Sequence, residues 1–231
     1  MAEQVTGDTS PSAKATTKAT LVDAGTQLIL EQGYHQTGIQ DVLHTAGVPK
    51  GSFYYYFPSK EAFGLEVIAQ FAAAYLARLE QYLGDTTASP LTRLRRHHEE
   101  LLARFERRGC RGGCLIGNLS QELADQSPRL RAQLDTVLTS WRARYAQLFR
   151  EAQAVGELRA DLDPEALADF YLSSFEGALL RAKVSKSPQP LRLFLAMMFD
   201  GILQGHTAAL DHITVDTYGK KFFPTPPRSM V

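Results

Sequence analysis

Apolar residues recur along this chain at helical spacing, with small or charged residues between them, over nearly its whole length. Three boundaries share one grammar. Ser89-Pro90, Ser127-Pro128 and Asp163-Pro164 each set a capping side chain before a proline in the first helical position, where the missing N–H has no helical partner to lose. Val and Ile are too scattered for a sheet core. The pattern predicts an all-α fold of about nine helices, over 17–33, 39–46, 50–56, 59–83, 90–107, 114–124, 128–155, 164–186 and 190–210. Gly33, Gly47, Gly84, Gly109 and Gly156 are the expected left-handed stops. Helices are short before residue 60 and long after it, which predicts a helical head (15–60) on a larger helical body (61–210). Residues 1–14 are expected to be a disordered tail, and 211–231 an irregular one in which Phe222 and Phe223 are candidates for docking on the body.

Within the head, Ile39, Val42 and Leu43 make one apolar face of a short helix. Gly47 permits a tight turn, Val48 can plug the angle it makes, and Pro49 helps start the next helix. Phe53 and Phe57, four apart, face inward there. That leaves Lys50, Gly51, Ser52, Tyr54 and Tyr55 outward, the arrangement in which a second helix enters a major groove. Thr37 and Gly38 open the preceding helix, where a hydroxyl and free amides can hold a phosphate. The tyrosine hydroxyls suit phosphates or thymine edges, Lys50 and Ser52 can donate to bases or phosphates, and Lys60 adds a cation near the backbone.

The stretch Thr37 to Phe63, above all AGVPKGSFYYYFPSKEAF, closely resembles the DNA-binding head of TetR-type transcriptional repressors. GELRADLDPEALADF (156–170) and FEGALLRAKV (175–184) resemble the body of that family, so the likeness spans nearly the whole chain. It implies a helix-turn-helix head on a helical effector-binding and dimerisation body, and a homodimer formed through the helices near 164–186 and 190–210. A two-fold dimer implies a near-palindromic operator. Tyr56 departs from the pattern, since many members carry histidine there; the change touches packing more than function.

Charge qualifies this picture. The 231 residues hold 25 Lys+Arg and 25 Asp+Glu, so DNA must be met by a local patch rather than a basic body. Up to residue 60 the count is four positive (Lys14, Lys18, Lys50, Lys60) against five negative (Glu3, Asp8, Asp23, Glu31, Asp41), without arginine. Phosphate contacts set the salt dependence of binding, so a shallow one is expected. A hydrophobic content of 44% excludes wholesale disorder. No apolar run approaches the ~18 residues of a membrane span and the N-terminus lacks an apolar signal region, so a cytoplasmic protein that avoids membranes is expected.

The body carries an unusual segment, RRGCRGGCLIGNLSQELAD (107–125). Cys114 is expected to start a helix beside Arg107, Arg108 and Arg111, a setting that favours a thiolate; the plainer reading of Cys114 and Cys110 is as small buried hydrophobes. With Trp141 and FREAQAVGEL (149–158), the segment is similar to a TetR subgroup that includes acrylate-responsive regulators and cysteine-based electrophile sensors. Phe105, Trp141, Tyr145 and Phe175 are candidate walls of an effector pocket, with Arg181 to pair a carboxylate; core packing and a solvated arginine are the alternative. Leu167, Phe170, Tyr171 and Ser174 form one stripe, Leu191, Phe194, Met198, Ile202 and Gly205 another. Gly177, Ala178, Gly201 and Gly205 would let these helices pack on a second copy.

No cofactor, metal or catalytic residue is expected. Adjacent His97 and His98 diverge by about 100° on a helix and cannot share a metal as an i, i+4 pair would. No phosphate loop, dinucleotide fingerprint or G-x-S-x-G occurs, and Cys110-x-x-x-Cys114 is not the redox C-x-x-C. The rival readings are a thiol enzyme and a helical interaction protein with a degenerate head.

Overall fold

A computed structural model describes residues 13–204, with side chains from Thr16. Its elements in chain order are α1 (Ala13–Gln32), α2 (Ile39–Ala46), α3 (Phe53–Tyr56), α4 (Lys60–Leu83), α5 (Pro90–Arg107), α6 (Leu115–Leu123), α7 (Pro128–Ala154), α8 (Pro164–Ser185) and α9 (Gln189–Ala196). A π-helical turn, Met197–Ile202, follows α9. Among the described residues there is no strand. Residues 1–12 and 205–231, with the expected tails, Gly205, Phe222 and Phe223, lie outside the described part.

The chain forms two compact units. Among the described residues, one comprises 13–78 with Gly112–Ser140, the other Leu79–Arg111 with 141–204. α6 packs against α1, and the first unit holds it together with α1, α2 and α3.

In the first unit, α1 packs on α2. Leu21, Val22, Ile29, Val42, Leu43, Phe53, Phe57 and Phe63 are buried. Phe63 meets the rings of Phe53 and Phe57 at 5.2 and 5.0 Å between centroids. Each such ring stabilises the head by roughly 1.5–3 kcal/mol relative to exposure. Gly25 on α1 is what admits Phe63: a Cβ at that position would stand 2.2 Å from the ring. Gly47 caps α2 in the left-handed region (φ 65°), where its amide returns to carbonyls of the last turn.

The start of α3 departs from expectation. Residues 50–52 form a turn, closed by Ser52 N–H donating to Pro49 O at 3.0 Å, so the helix begins at Phe53 rather than at residue 50. A second correction concerns α4, which does reach the length and mean hydropathy (1.3) of a membrane span. Its apolar residues are divided by face: Phe63, Val67, Ile68, Ala72, Tyr75, Leu79 and Leu83 are buried. Glu66 pairs with Lys18 at 2.9 Å and Gln70 donates to Asp23 at 2.6 Å. That is a core helix.

In the second unit α9 packs on α8 and α5. Asp163 caps α8, accepting from the amide of Glu165 at 3.1 Å. Ser89 does not cap α5. The Glu157 carboxylate accepts from the amide of Leu91 at 2.9 Å and from the Ser89 hydroxyl, so the cap comes from the α7–α8 turn. In the first unit Ser127 Oγ caps α7, accepting from the amide of Leu130 at 3.2 Å.

Candidate functional site

The head divides its aromatic residues as the spacing requires. Phe53 and Phe57 are 0% and 2% exposed, whereas the intervening Tyr54 and Tyr55 are 65% and 64% exposed. Two phenols therefore stand in solvent on a turn of helix whose back is locked into a ring cluster. Lys50 and Gly51 are exposed in the turn before it, and Ser52 is half-buried. Together these five residues make one continuous surface at the second helix of a helix-turn-helix.

Three other head residues sit differently. Thr37 is 1% exposed and its hydroxyl donates to Gly33 O at 2.7 Å, so it closes the α1–α2 turn and does not face solvent as a phosphate ligand. Gly38 is the N-cap of α2, and its amide donates to Asp41 Oδ2 at 3.1 Å. Lys60 is half-buried, donates to His35 O at 3.3 Å and lies 4.7 Å from the centre of the Tyr34 ring. Burial holds its pKa below the ordinary lysine value, offset in part by Glu122. The partners of Lys60 could not be read from the sequence, because His35 O and the Tyr34 ring reach it only when the turn after α1 meets α4.

Cys114 is the N-cap of α6, half-buried, with its sulfur accepting from the amide of Gly117 at 3.5 Å. Asn118 Nδ2 donates to Gly112 O at 2.9 Å and so closes the loop that leads to the cap. Cys110, in the other unit, is 4% exposed and adopts a left-handed backbone (φ 55°). Gly109, Gly112 and Gly113 are left-handed too, so Cys110 is the one residue of this set that carries a Cβ in that strained region. Lys186 Nζ reaches Cys110 O at 3.5 Å. Arg107 pairs with Glu100 at 3.2 Å, while Arg108 and Arg111 are exposed.

The aromatic candidates of the body are buried: Phe105 is 6% exposed, Trp141 1%, Tyr145 0% and Phe175 8%. Tyr145 and Phe175 converge on His98, with ring centroids at 6.2 and 4.8 Å. Tyr171 and Phe194 complete the cluster, at 5.3 and 6.2 Å from the same imidazole. His98 Nδ1 lies 3.1 Å from both Leu94 O and the Tyr171 hydroxyl. Burial pushes the His98 pKa down to about 4 and raises that of Tyr171 well above its ordinary value. Both groups are neutral near pH 7.

Sequence reasoning missed this pair. The available signal was that His98 falls four residues after Leu94 on the buried stripe of α5. Arg181 is not part of the cluster: it is exposed on α8. Six residues after Phe175, it is turned by roughly 240° from that inward side chain.

Among the described residues no three His, Cys, Asp or Glu side chains gather as metal ligands do. Exposed apolar residues do gather, in one stripe of α8. Phe170, Leu180 and Val184 are 53%, 43% and 69% exposed, and a Cβ added at Gly177, between them, would meet open space. Phe170 was expected to share a stripe with buried Leu167 and Tyr171, and it instead faces out. Leu193 of α9 is 37% exposed.

Residues 21–67 match the family described as bacterial regulatory proteins, tetR family, and residues 90–198 match the tetracyclin repressor-like C-terminal domain. The transcriptional regulator AcuR of Cereibacter sphaeroides is 47% identical over 75% of this chain and 80% of its own. The HTH-type transcriptional repressor DhaR of a Mycobacterium species is 38% identical, covering 79% of this chain and 90% of its own. Among solved structures, a regulatory protein TetR from Rhodobacter sphaeroides aligns with a TM-score of 0.76 at 43% identity, over 80% of this chain and 98% of that one. The reduced form of Escherichia coli NemR aligns at 0.74 and 34% identity, over 81% and 98%.

Proposed function

The chain belongs to the TetR family of bacterial transcriptional regulators, and we propose that it is a dimeric repressor whose α2–α3 head reads a near-palindromic operator and whose body responds to a small electrophile or carboxylate. It is a TetR-type repressor with an effector-binding C-terminal domain. The observation that carries the reading of the head is the exposure of Tyr54 and Tyr55 between two buried phenylalanines, which puts two rigid hydroxyls where a groove would lie. Lys50, Gly51 and Ser52 extend that surface. Lys60, Thr37 and Gly38 are engaged inside the head, which supports reading them as orienting it more than touching DNA.

The outward stripe of α8 supports the dimer. Phe170, Leu180 and Val184 on one face, with Gly177 allowing close approach, form an apolar strip of the kind a monomer covers with a second copy. In the two-fold assembly, paired heads face half-sites about one helical turn or a multiple of it apart. Operator DNA as partner supports a cytoplasmic protein, and this reading assigns it no catalytic role.

Effector chemistry rests on Cys114. It is half-buried at a helix N-terminus, where free amides favour negative charge, while Cys110 is enclosed. That the related NemR has been captured in a reduced form supports a thiol that changes state. A non-covalent effector would instead seat against Tyr145, Phe175, Trp141 or Phe105. The test is a gel shift on DNA flanking the protein's own gene, with acrylate or a thiol-reactive quinone, for wild type and Cys114→Ser. The expected result is release of the wild type by the quinone and persistence of the Cys114→Ser complex. Equal release of both replaces the thiol by the aromatic pocket, and absence of any shift at low salt overturns the repressor reading.

A further inference from the structure

The turn between α1 and α2 is held from a distance. Glu122, in the last turn of α6, accepts from the backbone amide of Tyr34 at 2.9 Å and from that of His35 at 2.7 Å, one amide on each carboxylate oxygen. The residues it bridges are 88 and 87 positions away. Lys60 holds the same turn from α4 through His35 O and the Tyr34 ring, and Thr37 closes it from within. Two consecutive amides on one carboxylate is the arrangement of a bound anion in a backbone nest, except that the anion here is a side chain of the protein. The turn leads directly into the N-cap of α2, so its position fixes where the helix-turn-helix begins.

We propose that Glu122 is a positioning residue for operator binding: it holds the α1–α2 turn and through it sets the placement of α2 and α3 for sequence reading. This rests on the operator-binding reading above. The charge of Glu122 makes the proposal testable, because simple electrostatics predicts the opposite sign. A carboxylate in a DNA-binding unit repels phosphate, so neutralising it should strengthen DNA binding if charge were its only contribution. An amide in its place keeps the size but offers one acceptor oxygen where the carboxylate offers two.

The experiment compares wild type and Glu122→Gln for affinity to operator DNA and to a random duplex of equal length, at one salt concentration. Amide hydrogen exchange at Tyr34 and His35 is read alongside. The expected result is a loss of about tenfold in the operator-to-random ratio, with random-duplex affinity unchanged or raised and exchange at one or both amides accelerated. A residue that only supports the fold would lower both affinities together and leave the ratio in place; that outcome overturns the proposal, as does tighter operator binding. Should Glu122→Gln fail to fold, wild-type exchange decides: slow exchange at both amides supports the grip, and exchange at free-turn rates overturns it. If the wild type distinguishes no operator from random DNA, the repressor reading fails and this inference falls with it. If the wild type does discriminate and Glu122→Gln discriminates equally, this inference alone fails.

Discussion

The hydroxyl of Tyr171 lies 3.1 Å from Nδ1 and 3.3 Å from Nε2 of His98, inside a shell of aromatic rings. One assignment satisfies every group: Nδ1–H donates to Leu94 O, and the phenol donates to Nε2. It requires a neutral imidazole. A protonated ring would lose the acceptor that Tyr171 uses and carry an uncompensated charge in a closed interior. The unfolded ring takes its proton near pH 6.5, the folded ring only near pH 4. Stability is therefore present above about pH 6.5 and is lost as pH falls toward 4. Between pH 7.5 and 5 the loss from this group is about 2 kcal/mol. Urea unfolding at the two pH values should show it, and His98→Gln should remove most of the difference while lowering stability at pH 7.5. An equal acid loss in the variant would place the titration elsewhere.

Operator binding should depend weakly on salt. Among the lysines up to residue 60 whose side chains are described, Lys18 is paired with Glu66, Lys60 is turned toward His35 O, and Lys50 is exposed in the turn before the tyrosines. Even counting Lys50 and Lys60 from two heads, the slope of log affinity against log salt should stay below about 4. A slope near 8 would mean that another surface meets the DNA. Tyr54→Ala or Lys50→Ala should weaken operator affinity by roughly tenfold at an unchanged melting temperature. Phe53→Ala should instead unfold the head, costing about 3–5 kcal/mol.

Several helix boundaries were legible in this chain, but α3 starts three residues late, Gly84 is not the left-handed stop expected, and α9 ends at Ala196 in a π turn. The polar partners of the helices were the least legible. α2 and α5 run over the residues that their turn glycine and Ser-Pro start imply. Those signals are local, resting on backbone preferences of one or two residues. The division of Phe53 and Phe57 from Tyr54 and Tyr55 was legible for the same reason, since helical spacing alone decides it. What could not be read were contacts closed by the fold. Thr37 has the sequence of a phosphate ligand and the position of a turn lock, and Arg181 lies on the far side of its helix from the rings it was expected to join. Glu122 and Glu157 carry no local signature. The amides they accept from lie tens of residues away, and an amide is a donor that every residue but proline possesses.

Glu157 offers a direct comparison of local and distant capping. Ser89 precedes Pro90 in the sequence of an ordinary cap, yet the α5 amide at Leu91 is satisfied by Glu157, to which the serine hydroxyl donates. Glu157→Ala therefore leaves a part-buried amide without its acceptor and should cost about 1–2 kcal/mol. Ser89→Ala removes hydroxyl contacts to that carboxylate and to Thr92 Oγ1 but leaves the Leu91 amide its acceptor, and should cost less. Thermal or urea unfolding of the two variants gives the order directly. If Ser89→Ala proves the more damaging, the serine caps the helix in solution.

The dimer proposed above rests on the outward stripe of α8. Phe170, Gly177, Leu180 and Val184 recur at intervals of seven, three and four residues, which places them on one side of a straight helix. Were the protein monomeric, this face would leave three large apolar side chains in water, each 43% exposed or more. A charge at its middle should be tolerated by a monomer and rejected by a dimer, because the aspartate of Leu180→Asp would then oppose its own copy across a dry two-fold contact. Sedimentation at micromolar concentration should show the wild type as a dimer and Leu180→Asp as a monomer, with little change in helical content. Operator affinity should fall with it by at least a hundredfold, since each head then binds its half-site alone. A Leu180→Asp protein that stays dimeric would move the interface to a different face, and operator binding would be expected to survive the substitution as well.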